Sequence, residues 1–233
     1  MGYLPIFLDV TGRKCIVVGG GEVAARKAES LLDADATVTV VCARLNDTLD
    51  AMFKRREIAH IARPYRRGDM AGCALVYAAT DDSALNRELA AEARELGILL
   101  NVADVPELCD FIAPAIVKQG ALQIAISTGG ASPAFVARLR RQLEEQFGDE
   151  YGHALRILRA ARNHLRSQRI ELGERSRRLK ALAESELPDA LRHHDLSFVE
   201  RIVAACLGDG VSLGTLGIDA ESLALSNGLS ASR

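Results

Sequence analysis

KCIVVGGGEVAARKAESLL, Lys14 to Leu32, decides the fold. A short β-branched run ends in three glycines, and a segment with alanines and leucines at helical spacing opens directly after them. Gly19, Gly21 and Ala24 stand in the G-x-G-x-x-A spacing of a dinucleotide-binding turn. Gly19 permits the tight turn, Gly21 lets the backbone approach a pyrophosphate, and Ala24 allows the helix to pack closely on the strand. Gly20, Glu22 and Val23 complete the turn, and the free N–H groups at the helix start suit an anion. A glycine-rich turn without a ligand is the alternative. TVTVVC, Thr37 to Cys42, follows as a second strand and closes a βαβ unit.

Working outward, Ile58–Ile61, Ala74–Thr80 and Ile98–Ala103 read as three further strands, with a helix over Ser83–Leu96 between the last two. Strand-helix alternation of this kind predicts an α/β fold, a Rossmann-type, doubly wound parallel sheet, over residues 1–112. The pattern then changes. FIAPAIVKQGALQIAIS places two apolar runs around Gln119-Gly120, as in a hairpin, and Ser132-Pro133 opens a helix to about Phe147. Residues 113–148 are therefore read as a separate α+β region. From Tyr151 to about Leu207 the pattern is almost wholly helical, so 149–207 is read as a small helical domain. Gly208, Gly210, Gly214 and Gly217 break the periodicity, and 208–233 is expected to be a loosely ordered tail.

With 233 residues, 48% of them hydrophobic, and a net charge of −2, the chain can bury a core but has no global basic field. Nucleic acid and membrane surfaces are not expected partners. Cys15, Cys42, Cys73, Cys109 and Cys206 are widely spaced and form no C-x-x-C pair, so reduced thiols are expected. MGYLPIFLDV lacks the basic start and long apolar run of a signal peptide, Ile6 stands where myristoylation needs Ser or Thr, and no apolar stretch reaches the roughly 20 residues of a membrane span. A soluble, cytoplasmic protein is the expectation.

The acidic residue that grips the adenosine ribose about 20 residues beyond the turn is absent, because the second strand ends in Cys42, Ala43 and Arg44. Arg44 suits the 2′-phosphate of NADP, or is a solvated loop arginine; spacing does not decide. In an open α/β sheet the ligand lies beyond the carboxyl ends of the strands, which directs attention to Thr80-Asp81-Asp82 and Asn101-Val102-Ala103-Asp104. Asp104 is the acid-base candidate: a carboxylate at a strand end beside a partly apolar pocket, with its pKa raised, is suited to proton abstraction. A turn cap before Pro106 is the equal alternative. Asp81 and Asp82 read as helix caps.

Together, LPIFLDV, VVGGGEVAARKA, AATDD, NVADVPELCDFIAPAIV and ISTGGASPAFVARLRRQLE resemble the precorrin-2 dehydrogenase/sirohydrochlorin ferrochelatase family, which includes the amino-terminal module of siroheme synthase. The resemblance runs in order from about Leu4 to Ser167. It implies a Rossmann domain, an intertwined dimerisation region and a small helical domain, assembled as a homodimer. It also implies NAD as hydride acceptor, contacted by the Gly19–Val23 turn and by backbone near Ala43 and Arg44; Thr80 and Asn101, at their strand ends, are the candidates at the nicotinamide end. Asp104 matches the family's catalytic carboxylate, proposed as general base and as a transient aid to metal insertion. Ser127, Thr128, Gly129 and Gly130 match the motif lining the macrocycle pocket, with Thr128 standing where some relatives have serine.

The implied activity is oxidation of precorrin-2 to sirohydrochlorin, with insertion of ferrous iron as the family's second reaction. A dehydrogenase without chelatase activity and a nicotinamide-sensing regulatory domain are the alternatives. No H-x-x-H, C-x-x-C or carboxylate cluster offers a permanent metal site, although His153 and His164 lie in the helical segment. The large methyltransferase module fused in siroheme synthase is missing from this sequence, so precorrin-2 is expected from a separate enzyme.

A polycarboxylated substrate needs cations around an apolar slot. Ala154, Leu158, Ala161 and Leu165 repeat at helical spacing, with Arg156, Arg159, Arg162, Arg166 and Arg169 on a flanking face. Tyr151 to Lys180 holds eight arginines and Lys180 against Glu171 and Glu174, a local net charge of +7. Arg156 and Arg159 are the expected substrate contacts; a solvated helix face is the alternative.

Overall fold

A computed structural model describes residues 2–224 and divides into two compact units, one running to Ala113 and the other starting at Pro114. In the first, strands β1 (Lys14–Val18), β2 (Thr37–Cys42), β3 (Ile58–Ala62), β4 (Leu75–Ala78) and β5 (Leu99–Val102) form one parallel sheet in the order β3-β2-β1-β4-β5. Helices α1 (Glu22–Leu32), α2 (Asp47–Lys54) and α3 (Ser83–Leu96) connect them. The order reverses between β1 and β4, the switch point at which such sheets bind ligands.

Apolar residues on both faces of the central strands explain the layered core. Cys15 and Val17 join Val38 and Val40 under α1 and α2, whereas Ile16 and Val18 join Val41, Val76 and Ala78 on the side of Leu89 and Ala93 from α3. Asp82 caps α3, accepting from the amides of Ala84 and Leu85 at 2.9 and 3.1 Å, and left-handed Gly97 ends the helix. α2 has no counterpart in the sequence reading: its 8 residues, capped by Asn46, are too few for a periodic signal.

In the second unit, β6 (Ala115–Gln119) and β7 (Leu122–Ile126) form an antiparallel hairpin with left-handed Gly120 in its turn. This turn lies against α5 (Asp149–Ser167) so closely that a Cβ on Gly120 would come within 3.2 Å of the Gly152 Cα. Between them runs α4 (Pro133–Gln146), capped by Ser132, whose hydroxyl accepts from the Phe135 amide at 3.2 Å. α6 (Leu172–Ala183), α7 (Leu187–Arg192), α8 (Leu196–Leu207) and α9 (Glu221–Ala224) complete the unit.

Two expectations change here. The buried stripe of α5 is Ala154, Ile157, Ala161 and Leu165, so Ile157 takes the place assigned to Leu158, which packs only partly against the core. The stretch after Leu207, expected to be loose, sends Leu213, Ile218 and Leu223 into that same core. Its glycines, three of them at positive φ, form the turns between these anchors, which conceals the packing from a periodicity test. Residues 225–233, the rest of the predicted tail, lie outside the described residues. Among the described residues no helix is long and apolar enough to cross a membrane.

Candidate functional site

The glycine-rich turn assigns a different task to each glycine. A Cβ on Gly19, at φ +131°, would sit 2.1 Å from the Ala79 carbonyl oxygen, and one on Gly20 would sit 2.1 Å from that of Arg44 and 2.9 Å from the Cys42 Sγ. These two glycines let the turn lie flat against the ends of β4 and β2. A Cβ on Gly21 would meet nothing within 4 Å. Gly21 therefore borders open space at the start of α1, where it supplies no capping side chain, and the first-turn amides of Glu22, Val23 and Ala24 have no intrahelical acceptor. Exposed glycine backbone and free N–H groups at a helix start fit a dinucleotide pyrophosphate. Ala24 is fully buried, as close helix packing requires.

Asn46 locks this corner. Its amide N–H donates to the Gly20 carbonyl at 2.9 Å, its side-chain Nδ2 donates to Glu22 Oε1 at 2.9 Å, and its Oδ1 caps α2 by accepting from Leu49 N at 2.9 Å. Ala43 and Arg44 are exposed beside it.

Beyond β4, the Thr80 hydroxyl accepts from Asp82 N at 3.1 Å, and the Thr80 carbonyl accepts from the buried Asn86 amide at 3.0 Å. Beyond β5, Asp104 occupies the left-handed region at φ 59°, a conformation Asp tolerates better than most residues. It lies at the same carboxyl edge of the sheet as the glycine turn, since all five strands are parallel. The loop that carries it is cinched at its base. Asp110 exchanges two hydrogen bonds with Leu100, N–H to carbonyl at 2.8 Å and Oδ2 from the Leu100 amide at 3.0 Å. Cys109 Sγ sits 3.1 Å from Val102 N and 3.3 Å from the Val105 carbonyl, and burial pushes this thiol's pKa up. Asp104 itself is exposed, not enclosed by the apolar surroundings expected of it.

Asn101 points inward. Its Nδ2 donates to the Phe111 carbonyl at 2.9 Å, so the amide holds the chain beyond the loop rather than presenting a donor at the strand end. Sequence reasoning also missed Lys27, whose ammonium lies 4.9 Å from the Tyr77 ring centroid. Burial lowers its pKa, and nearby Arg26 lowers it further, while Cys109 and Asp104 partly offset both. A half-buried cation is thereby held within electrostatic reach of Asp104. Only its one-turn spacing beyond Val23 and Ala24 marked Lys27 in the sequence, and nothing there paired it with a residue 77 positions later.

Ser127, Thr128, Gly129 and Gly130 belong to the second unit and form the loop between β7 and α4. Gly129 N donates to the Ser127 hydroxyl at 3.1 Å, and Ser132 N donates to that of Thr128 at 3.3 Å; both glycines have positive φ. Arg156 and Arg159 are exposed on α5, and Arg156 Nη2 donates to the Ser222 hydroxyl at 3.0 Å. Among the described residues no three His, Cys, Asp or Glu side chains gather as metal ligands would.

Known proteins match along most of the chain. Residues 6–115 match a family described as putative NAD(P)-binding, and residues 119–146 match one described as sirohaem biosynthesis protein central. The first unit is accordingly a nicotinamide-dinucleotide-binding domain. A siroheme synthase of Methylococcus capsulatus is 42% identical over 166 residues, 71% of this chain and 35% of the relative. One from Pseudomonas paraeruginosa is 35% identical over 212 residues, 91% of this chain and 46% of the relative. The chain thus spans less than half the length of these relatives. In structure it resembles SirC, a precorrin-2 dehydrogenase, with a TM-score of 0.70 at 23% identity, covering 86% of this chain and 98% of that one.

Proposed function

We propose that the chain is a member of the precorrin-2 dehydrogenase/sirohydrochlorin ferrochelatase family and oxidises precorrin-2 to sirohydrochlorin with NAD. The observation that carries this reading is the pairing, along one sheet edge, of the open backbone at Gly21 with the left-handed Asp104 at the end of β5. NAD, when bound, supplies the hydride acceptor. The amides at the start of α1 hold the pyrophosphate, and Gly21 admits it by having no side chain. Ala43 and Arg44 line the adenosine side through their backbone.

Asp104 takes the proton that leaves the macrocycle as the hydride departs, so the two hydrogens removed are both accounted for. The cinch at Cys109 and Asp110 keeps its carboxylate at the strand end, and the half-buried Lys27 ammonium interacts with it electrostatically. Thr80 borders the nicotinamide end, with its carbonyl fixed by Asn86. The Ser127–Gly130 loop supplies backbone and hydroxyl donors to the macrocycle, and Arg156 and Arg159 supply cations to its carboxylates.

The working form in this reading is a cytoplasmic homodimer joined through residues 113–148, with 149–207 as the substrate domain. Support for the dimer lies in α4, none of whose side chains is fully buried and whose Phe135 is half-exposed. Mixing the purified protein with precorrin-2 and NAD and following NADH and sirohydrochlorin absorbance tests the proposal. Stoichiometric appearance of both supports it, while NAD binding without turnover would instead indicate a nicotinamide sensor. Adding ferrous ion to the same assay reads the family's second reaction.

A further inference from the structure

α5 and α6 enclose a groove of about 250 Å³ lined by Arg162, Arg166, Leu172, Arg175, Ser176 and Leu179. The arginines of this region divide into two sets. Arg177 and Arg178 share Glu174 at 2.7 Å each, Lys180 faces Glu184, and Arg192 holds buried Glu150 at 2.7 Å. Arg156, Arg159, Arg162, Arg166, Arg169 and Arg175 pair with no carboxylate among the described residues. Three of this unpaired set, Arg162, Arg166 and Arg175, meet at the groove.

Arg175 is anchored by donation from Nη2 to the Ile170 carbonyl at 3.3 Å, while its Nε is buried with no acceptor. A buried donor left unmet costs free energy, which a shift of the Arg175 side chain toward an incoming oxygen would recover. Three like charges converging on one opening repel each other until an anion enters. Leu172 and Leu179 add apolar wall, and Leu172 is 72% exposed, which favours a ligand with a flat apolar part over a bare inorganic ion. The volume falls just below the usual range of whole-ligand pockets, about 300–1,000 Å³, and suits a fragment of a larger molecule.

We infer that this groove binds one acid-bearing pyrrole edge of a polycarboxylated tetrapyrrole, its carboxylates on Arg162, Arg166 and Arg175 and its ring against Leu172 and Leu179. The inference rests on the proposed activity for its choice of ligand. It is distinct from the roles given to Arg156 and Arg159, which line no part of the groove.

Uroporphyrin, a stable and fully carboxylated macrocycle, is the probe, titrated by fluorescence into the full chain. The Arg162→Ala/Arg166→Ala pair, both exposed side chains that the core does not need, is expected to raise its Kd about tenfold or more, as loss of charged partners does elsewhere. Arg138→Ala/Arg141→Ala on α4, an equal loss of charge at residues that do not line the groove, is expected to leave Kd within about twofold, since exposed charges without direct contact are largely screened by salt. Equal losses in both pairs, or none in the first, would overturn the inference. Citrate is the second arm: displacement of uroporphyrin only at far higher concentration supports a macrocycle site, and equal affinity for citrate overturns it. Precorrin-2 turnover is measured separately. Arginine-independent uroporphyrin binding with normal turnover removes the groove and leaves the activity standing, whereas arginine-dependent binding without turnover supports the groove while refuting the activity.

Discussion

Exchanging Gly21 or Gly20 for alanine separates the two jobs of the glycine turn. At Gly21 the backbone is extended, φ −96° and ψ −168°, which alanine adopts freely, and its Cβ would meet nothing within 4 Å. The fold should lose nothing, and stability should hold or rise by about 0.4–1 kcal/mol because the unfolded chain loses freedom. That methyl nevertheless occupies the space a pyrophosphate must reach. NAD affinity is expected to fall at least ~10-fold, about 1.4 kcal/mol. At Gly20 the Cβ would come 2.1 Å from the Arg44 carbonyl, so the β2 end must give way. Overpacking of this kind costs about 1–3 kcal/mol. In a unit of this size each kcal/mol lowers Tm by roughly 4 °C or more. The assay is a thermal melt of each variant followed by calorimetric titration with NAD. Unchanged NAD binding by Gly21→Ala, or an unchanged melt of Gly20→Ala, would refute the division of roles.

Asp104→Asn keeps a residue content with φ 59° while removing the base, so turnover should drop by about 10²–10⁴ with NAD affinity unchanged, as read by initial rates beside calorimetry. His153 has its pKa lowered below 6.5, chiefly by burial, so the unfolded chain protonates first on acidification. Stability should therefore decline as pH falls from 6.5 toward the lowered folded value and level off beneath it, and His153→Gln should flatten that part of the Tm-against-pH curve. Leu213→Ala should cost about 2–5 kcal/mol in denaturant melts, because Leu213 is almost fully buried; a loose tail would show no change.

The first unit was largely legible because its signals are local. β1, β2 and α3 begin and end where β-branched runs and caps predict, and Ser132-Pro133 starts α4 as expected. Gly19, Gly21 and Ala24 were assigned their tasks from spacing alone, and the close approach, the open space and the burial found there match. α2 escaped because a two-turn helix capped by a lone asparagine carries too little periodicity.

The amino-acid sequence by itself determined the Rossmann-type sheet, the place of the dinucleotide turn and the candidacy of Asp104, since each depends on residues within a few positions of one another. Tertiary structure alone decided what depends on distant partners. Asn101 and Phe111 are joined across 10 positions, Lys27 is carried over Tyr77 by a helix crossing the sheet, and Glu150 meets Arg192 42 positions away. The same holds for the arginines. Eight of them stand in one stretch; Arg177 and Arg178 meet Glu174 within one turn of α6, but only the packing of α6 on α5 brings Arg162, Arg166 and Arg175 to one groove. Charge is a property of the residue, but whether it is already satisfied is a property of its neighbours in space.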